Sequence, residues 1–502
     1  MDLFQNLALG FSVALSPQNL IFCFVGVLMG TLIGVLPGIG PITGIALLIP
    51  ITYGLDSTTA LITMAGVYYG AMYGGSTTSI LINVPGESSS VMTCLDGYQM
   101  ARKGRAGPAL GMAALASFVA GTFAVIALTL IAKPLADFAV SFGPAEYFAL
   151  TLLGLTLVTS LTGKSMIKGV MSGVFGLLVA SIGIDALSGA ARFTYGNIYL
   201  LDGAGFIGVA VGLFAVSEIL VNIEDPMERV FVKAKLTMGN MLPNRQDWRD
   251  SAGALGRGSL IGFVVGVLPG AGATIASFLA YAAEKKASKH PEKFGTGVIE
   301  GVAAPEGANN AATGGALVPL LTLGIPGSGA TAVMLGALLI HGLRPGPMLF
   351  ESNPEFVWGF IASMYIGNVM LVILNLPLIG MWVSLLRVPY KLLMPLIMII
   401  SAVGVYATDN NVFDVWVMFA FGVIGYAMRK LDFHPAPAVL GLVLGPMVER
   451  SLRQALTMSH GSLDIFFTSP ISAILIVIAM LSLFTPVVRS IWRRAGAPVM
   501  QT

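Results

Sequence analysis

The sequence Gly-Val-Leu-Pro-Gly-Ile-Gly occupies residues 34–40, and a near copy, Gly-Val-Leu-Pro-Gly-Ala-Gly, occupies residues 266–272. Both copies are embedded in apolar sequence. Proline removes a backbone N–H donor and disfavours the helical conformation of the preceding residue, while glycine adopts conformations that are costly for other residues. We therefore expect a helix to break at the same point of both copies.

The glycine pattern extends beyond these two copies. A series of glycines at every fourth residue begins at Gly26, and an equal series begins 232 residues later at Gly258. In apolar helices this spacing is typical of close helix packing. A second pair of motifs follows: Gly74-Gly75 with Pro85-Gly86, then Gly314-Gly315 with Pro326-Gly327, one residue further apart. The repetition predicts that two halves of the chain share one fold.

The composition is that of an integral membrane protein. Of 502 residues only 10% are charged, against about 25% in a typical soluble domain, while 56% are hydrophobic and the mean hydropathy is +0.85. Glycines and prolines interrupt the apolar runs, and lipid tolerates broken backbone only where protein or a water-filled cavity covers it. After a hydrophilic stretch, apolar runs resume near residues 258–283 and 311–324. We predict an all-α polytopic membrane protein with about 10–12 transmembrane helices plus broken or re-entrant helices.

The distribution of basic residues predicts how the two halves are oriented. Three arginines between residues 245 and 257 precede the second copy of the motif, and four lysines between residues 285 and 293 follow it. The first copy has no basic residue on either flank, so the positive-inside rule places the two copies in opposite orientations. The predicted organisation is two inverted-topology repeats: 1–222 as the first transmembrane repeat, 223–257 as a hydrophilic cytoplasmic connector and 258–502 as the second transmembrane repeat.

Short hydroxyl side chains follow the predicted breaks, and they indicate a binding site. The N-terminus of a helix offers free backbone N–H groups and a positive dipole end, which together hold an anion without a buried cation. For any single Ser or Thr, a hydrogen bond back to its own helix is an equally good interpretation. The predicted substrate- or ion-binding residues are Pro37, Gly38, Gly40, Thr43, Gly74, Gly75, Ser76, Thr77, Ser79, Asn83, Pro85, Gly86, Ser88, Pro269, Gly270, Gly272, Thr274, Asn310, Thr313, Gly314, Gly315, Pro326, Gly327 and Ser328.

Several acidic residues fall at or near the ends of apolar segments. We expect Asp185 and Glu306, among others, to be solvated at those ends, with a proton or cation relay as the alternative.

Motifs of enzymes and of nucleic-acid binding are not formed. Thr-Gly-Lys-Ser at residues 162–165 imitates the end of a P-loop, but Val158 occupies the position of its first glycine. The four histidines are far apart in the sequence, so their spacing predicts no metal site. A net charge of +2 without a basic tract argues against nucleic acid as a partner. We predict no catalytic residues, no enzymatic activity and no metal beyond a possible sodium ion.

Five motifs together resemble one family. They are Gly-Val-Leu-Pro-Gly-Ile-Gly-Pro at 34–41, Tyr-Gly-Gly-Ser at 73–76, Asn-Val-Pro-Gly at 83–86, Leu-Asp-Gly-Tyr-Gln-Met-Ala at 95–101 and Gly-Ile-Pro-Gly-Ser at 324–328. The sequence is similar in these motifs to the large membrane subunit of tripartite tricarboxylate transporters, the TctA family, and the resemblance covers essentially the whole chain.

The resemblance implies a multi-pass secondary transporter of the bacterial inner membrane that imports citrate-like di- or tricarboxylates. It also implies two partners, a small membrane subunit of the TctB type and a periplasmic substrate-binding protein of the TctC type. Uptake in such systems is driven by a gradient of sodium ions or protons rather than by ATP, so the predicted cofactors are limited to that coupling ion. Two other classes of function stay open: a passive anion channel and a membrane scaffold that transports nothing.

Overall fold

The computed structural model describes residues 3–36, 39–161, 165–185, 187–224, 238–270, 272–385 and 390–495. Three sequence predictions concern residues outside these ranges. They are Pro37 and Gly38 of the first break, residues 162–164 of the P-loop-like stretch and residues 225–237 of the connector.

The chain is 81% helical, which confirms the predicted all-α class. The first ten helices are α1 (Leu3–Ala14), α2 (Pro17–Val35), α3 (Gly40–Thr52), α4 (Ser57–Ile82), α5 (Val91–Met100), α6 (Ala106–Ala139), α7 (Pro144–Leu161), α8 (Met166–Ala180), α9 (Phe206–Val211) and α10 (Ser217–Glu224). The others are α11 (Met238–Met241), α12 (Arg245–Val267), α13 (Gly272–Ala287), α14 (Glu300–Leu323), α15 (Gly329–Ile340), α16 (Leu349–Ser352), α17 (Pro354–Asn375), α18 (Ile379–Leu385), α19 (Tyr390–Asp409), α20 (Val412–Lys430), α21 (Pro435–Met458), α22 (Ile465–Thr468) and α23 (Pro470–Ala495). Two short strands, β1 (Gly183–Ile184) and β2 (Ala191–Arg192), pair antiparallel.

Five helical stretches are long and apolar enough to cross a membrane, judged by length and composition within the described residues. Several shorter apolar helices, α3 and α15 among them, accompany these stretches. Together they establish the predicted polytopic membrane class. The five stretches are Pro17–Val35, Ser88–Ala139, Phe206–Glu224, Pro354–Asn375 and Val412–Lys430.

The chain divides into two compact units. The first unit comprises the described parts of Met1–Val140 and Ile207–Tyr426, and the second comprises those of Ser141–Phe206 and Ala427–Thr502. Most of the predicted site residues lie in described parts of the first unit.

Inside the first unit, α2 packs on α4 through its glycines. A methyl group added to any of these glycines would overlap a carbonyl oxygen of α4, so the two backbones approach more closely than any other side chain allows. The contacts in the first half are Gly26 with Thr63, Gly30 with Val67 and Gly34 with Ala71.

The same packing recurs between α12 and α14. Here the contacts are Gly258 with Ala304, Gly262 with Ala308 and Gly266 with Ala312. Gly26 and Gly258 are 232 residues apart, whereas Thr63 and Ala304 are 241 residues apart. The two helix pairs are therefore equivalent, with nine more residues between the paired helices of the second half.

The ends of α4 and α14 are also equivalent. The Asp56 side chain begins α4 by accepting hydrogen bonds from the N–H groups of Thr58 and Thr59. The helix ends at Asn83 in a left-handed conformation with φ of 55°, and α14 ends at Gly324 with φ of 71°. A left-handed residue is a common helix terminator, and both helices turn there into their Pro-Gly segments.

Two helices of the second half extend beyond their apolar runs. A capping box between Asn244 and Asp247 starts α12 at Arg245, within the stretch that we expected to be the connector. Similarly, α14 runs from Glu300 although its apolar run begins only near residue 311. The additional turns of α12 are mostly polar, and those of α14 carry two glutamates and two asparagines among small residues, so hydropathy did not reveal them.

The second unit is built from α7, α8, α21 and α23, with the strand pair beside them. A loop acid, Asp185, hydrogen-bonds to Arg453 at 2.9 Å, and Glu449 binds both Arg453 and Arg192 at 2.7 Å. The Leu187 N–H and the Arg453 guanidinium hold the pKa of the Asp185 carboxyl well below its usual range. The expectation of a solvated segment end was therefore wrong for Asp185, whose side chain is 8% exposed and lies in an ion-pair network.

Candidate functional site

The two breaks of the second half contact each other directly. The backbone N–H of Gly270, in the turn between α12 and α13, donates a hydrogen bond of 3.0 Å to the carbonyl oxygen of Gly327. Directly after Gly327, Ser328 starts α15 with a capping box that includes Thr331. The Pro-Gly motifs of this half thus form one joined structure from which two helices begin.

The Pro85-Gly86 segment of the first half and the Pro326-Gly327 segment of the second half make equivalent contacts. A methyl group at Gly86 would overlap the Gly34 carbonyl oxygen and the Cα atom of Gly75. At Gly327 it would overlap the corresponding atoms of Gly266 and Ala316. Each Pro-Gly segment therefore folds back onto the same two helices of its own half.

These contacts shift the sequence pairing of the glycine doublets by one residue. Gly74 lies against Thr31 and Val35, and the residue with matching contacts is Gly315, which lies against Phe263 and Val267. The equivalent of Gly74 is therefore Gly315 rather than Gly314. The other glycine, Gly314, packs against Ala124 of α6. With Gly74 paired to Gly315, the two halves have the same number of residues between this glycine and the Pro-Gly segment.

Hydroxyl groups connect the breaks of the two halves. The side chains of Ser88 and Thr274 are hydrogen-bonded at 2.7 Å, and Ser88 is exposed. The Ser328 hydroxyl pairs with Tyr68 of α4 at 3.0 Å. Thr43 is buried in the first turn of α3, a helix that packs on α15. Residues that are 186 and 260 positions apart in the sequence thus form hydrogen bonds between the two halves.

Glu306 lies in the middle of this region, and the expectation of a solvated segment end was wrong for it. It is fully buried inside α14, and its carboxylate accepts hydrogen bonds from three hydroxyls, one on each of α4, α5 and α6. The donors are Ser76 at 2.6 Å, Thr93 at 2.5 Å and Ser117 at 3.4 Å. A side chain of the second half is therefore held entirely by first-half donors.

Some of the neighbouring polar residues contact the cluster around Glu306, and others form hydrogen bonds within their own helix. The Asn310 side-chain amide donates to Ser117 at 2.7 Å and so extends the cluster around Glu306. In contrast, the Thr313 hydroxyl bonds back to the Asn310 carbonyl oxygen, the alternative that applies to any helical Ser or Thr. Ser79 does both, since it bonds to Gly75 of its own helix and to Ser90 after the break.

Glu87 is a site residue that sequence reasoning missed. Its Oε1 atom accepts hydrogen bonds from Ser89 at 3.0 Å and from the Asn309 amide at 3.3 Å, and the residue is only 8% exposed. The missing side chain of Gly75 makes room for its carboxylate. One signal in the sequence could have identified it: Glu87 is an acid that directly follows the predicted break at Pro85-Gly86.

The two acids of the cluster have no basic partner among the described residues. Within the described residues, neither Glu87 nor Glu306 forms an ion pair with Lys, Arg or His. The donors around them are neutral hydroxyl and amide groups, which solvate a carboxylate but do not neutralise it. Burying two unpaired carboxylates is costly, so the protein maintains them at a free-energy cost that a functional site explains.

The remaining predicted residues shape the backbone. Asn83 ends α4, Gly40 and Gly272 begin α3 and α13, and Gly74 and Gly315 admit a neighbouring helix. Thr77 is buried in α4. The prolines of the described breaks, Pro85, Pro269 and Pro326, lie between the helices that they separate.

Metal clusters and cavities are other features that can mark a binding site. Within the described ranges, no group of three His, Cys, Asp or Glu side chains is placed to hold a metal ion. A surface cavity of about 590 Å³ lies in the second unit, and no predicted site residue lines it. Its lining residues are Leu187, Arg453, Leu456, Thr457, His460 and Gly461.

Comparison with known proteins identifies the family. The family model described as "Tripartite tricarboxylate transporter TctA family" matches residues 20–440. A relative from Agrobacterium vitis, the "Uncharacterized 52.8 kDa protein in TAR-I ttuC' 3'region", is 51% identical over 480 residues, covering 96% of this chain and 95% of the relative. The chain belongs to the TctA family. It is therefore a multi-pass membrane component of a tricarboxylate transport family, as its motifs predicted.

A second relative matches this TctA member over part of its length. The "Uncharacterized protein in TAR-II ttuC' 3'region" of Agrobacterium vitis is 47% identical over 230 residues, covering 46% of this chain and 95% of the relative. The comparison with solved structures finds no match.

Proposed function

We propose that the chain is the large membrane subunit of an ion-gradient-driven importer for a di- or tricarboxylate of the citrate type in the bacterial inner membrane. A periplasmic binding protein delivers the substrate, and a small membrane subunit completes the complex. The proposed coupling ion is sodium or a proton. Membership of a tripartite tricarboxylate transporter family supports this proposal.

One observation carries the proposal: helix breaks from both halves of the chain meet. The Ser88–Thr274 and Tyr68–Ser328 hydrogen bonds join the halves, and Gly270 is bonded to Gly327. Helix starts that meet at one place offer N–H and hydroxyl donors to a carboxylate, which is how discontinuous helices in transporters bind anions.

The charge of the site supports coupling to a cation. An anionic substrate that approaches the buried carboxylates Glu87 and Glu306 is repelled unless positive charge enters with it. A cation that binds together with the substrate offsets this repulsion, and its gradient then drives uptake. A passive channel has no need of such a pair of buried acids beside its anion path.

We further propose that residues 1–222 and 258–502 are inverted repeats, joined by a cytoplasmic connector at 223–257. The equivalent contacts of Gly34 with Ala71 and of Gly266 with Ala312 support two repeats. The charge asymmetry of their flanks supports the inversion. Alternating access then moves one part of the repeat pair past the other around the central site.

The experiment is uptake into proteoliposomes that contain the chain with its small subunit, supplied with the purified binding protein. A panel of di- and tricarboxylates is tested under sodium and proton gradients. We expect concentrative uptake of at least one carboxylate that depends on one of the two gradients.

The matched variants are Gly270→Val and Gly256→Ala. Gly270 has a φ of 83° and a hydrogen bond to the other break, whereas Gly256 faces open space on α12. We expect the first variant to insert into the membrane but lose uptake, and the second to retain it. Uptake that only runs downhill and ignores both gradients contradicts the proposal in favour of a channel, and absence of any flux favours a scaffold.

A further inference from the structure

One oxygen of the buried Glu87 carboxylate has no hydrogen-bond partner among the described residues. Its Oε1 atom accepts two hydrogen bonds, but Oε2 is buried without a partner among the described residues. A buried acceptor that lacks a partner destabilises the fold, and more so if it is charged. Such an atom in a native site needs an explanation, and a missing ligand is one.

Two further acceptors in the same region share this property. Asn309 Oδ1 and Asn310 Oδ1 are also buried without a hydrogen-bond partner in the described chain, and both residues are at least 99% buried. Asn309 contacts Glu87 through its amide nitrogen, so its oxygen is in the vicinity of the Glu87 carboxylate. All three atoms are oxygens that accept and none is a donor.

The chemistry of these atoms selects the type of ligand. A single proton satisfies one acceptor, whereas a metal cation binds several oxygens at once. Carboxylate and amide oxygens are hard ligands that suit sodium-like, magnesium-like and calcium-like ions rather than transition metals. Of the two acids in this cluster, Glu306 already accepts three hydrogen bonds, whereas Glu87 has an oxygen without a partner among the described residues. The single charge of one carboxylate matches a monovalent ion.

We propose that Glu87 Oε2 and Asn309 Oδ1 bind a sodium ion, with the adjacent Asn310 oxygen as a further candidate ligand. Glu306 has a different role: it holds the hydroxyls of Ser76 and Thr93 and so fixes α4 and α5 around the ion. The inference rests on the proposed function in that it names the residues that hold its coupling ion.

The two halves differ at the position that accommodates the Glu87 carboxylate. Gly75 leaves space for the Glu87 carboxylate, because a methyl group there would overlap Oε2. The equivalent positions of the second half are Ala316 and Ser328, which provide neither the space nor the charge. One sodium site of this type per chain follows from this asymmetry.

The test measures sodium binding without transport. The full chain is purified in detergent, and its thermal unfolding is followed in sodium, potassium and choline chloride at constant pH and ionic strength, without carboxylate or partner proteins. At saturating sodium we expect the Tm to rise by about 2–4 °C over choline chloride. Potassium is expected to give less than half of this rise.

The variants assign the ligands. Glu87→Gln keeps the shape of the side chain but removes its charge, and it is expected to abolish the sodium-dependent rise. Asn309→Ser is expected to weaken sodium binding on the order of 10-fold. Asp137→Asn, an exposed acid paired with Lys133, is the control and keeps the full effect.

Each outcome bears on the proposal. A wild-type Tm that is the same in sodium and choline overturns it and leaves a proton as the ion, and so does a sodium effect that persists in Glu87→Gln. If Glu87→Gln does not unfold cooperatively, unchanged sodium affinity in Asn309→Ser overturns it instead. Sodium binding without carboxylate uptake in proteoliposomes contradicts the proposed function alone, whereas uptake without sodium binding contradicts only this site.

Discussion

The two Pro-Gly segments after α4 and α14 have the same backbone and different chemistry. Asn83 and Gly324 are both left-handed, and Gly86 and Gly327 fold onto equivalent glycines of α2 and α12. Glu87 follows the Pro-Gly segment after α4, whereas Ser328 follows the one after α14. The backbone is repeated, but the charge is not.

The comparison of the two halves separates residues that pack the helices together from residues that form the candidate site. Residues that match in both halves are glycines, prolines and helix ends, and their contacts explain them as packing. The two acids of the cluster, Glu87 and Glu306, have no acidic counterpart in the other half, where the equivalent residues are Ser328 and Ala65. The asymmetric residues are therefore the better candidates for substrate and ion chemistry.

The largest effect is expected from Glu306→Gln. The neutral amide cannot accept from all three hydroxyls, and one negative charge is lost, so the initial rate of carboxylate uptake should fall on the order of 100-fold. The measurement is proteoliposome uptake at equal protein incorporation. Ala65→Ser at the equivalent position is the control, because its hydroxyl can bond back to its own helix. Wild-type uptake by Glu306→Gln would break the comparison.

Gly75 and its equivalent Ala316 can each be replaced by the other residue, and we expect the two replacements to affect uptake unequally. Gly75→Ala places a methyl group on the Glu87 carboxylate and is expected to reduce uptake on the order of 10-fold or more, while Ala316→Gly leaves more than half of it. Uptake by the two variants is compared at equal expression. Equal losses would mean that the pair serves packing alone.

Equal losses are expected where the halves do match. Gly34→Ala and Gly266→Ala each push a methyl group into a carbonyl oxygen of the neighbouring helix, at Ala71 and Ala312. Each should destabilise the fold by about 2 kcal/mol, measured as a lower Tm in detergent. A variant of only one half that melts like the wild type would disprove the equivalence of the two helix pairs.

The smallest effect concerns the helix ends. Asn83→Ala and Gly324→Ala each force alanine into a left-handed conformation, at a cost of about 1–2 kcal/mol. Asn83→Gly should be nearly neutral, because glycine adopts this conformation freely. Thermal unfolding of the three variants checks this order, and a destabilised Asn83→Gly would show that the asparagine side chain has another task.

Much of the fold was predictable from local signals. The Pro-Gly motifs and the four-residue glycine spacing revealed the matching halves, since a broken helix and a close helix contact each demand particular residues at particular positions. The length of α14 was not predictable from hydropathy. Its first turns carry Glu306 and Asn309, polar residues that interrupt the apolar run and are buried in spite of it.

An all-helical membrane fold with broken helices and repeated glycine packing follows from the sequence alone, because proline and glycine restrict or free the backbone at their own positions. The side chains that form the site become evident only in the folded protein. Glu87 and Asn309 are hydrogen-bonded although more than two hundred residues separate them, and Glu306 is buried among hydroxyls of three other helices. Burial and polar partners depend on neighbours in space, and no local pattern in the sequence encodes those neighbours.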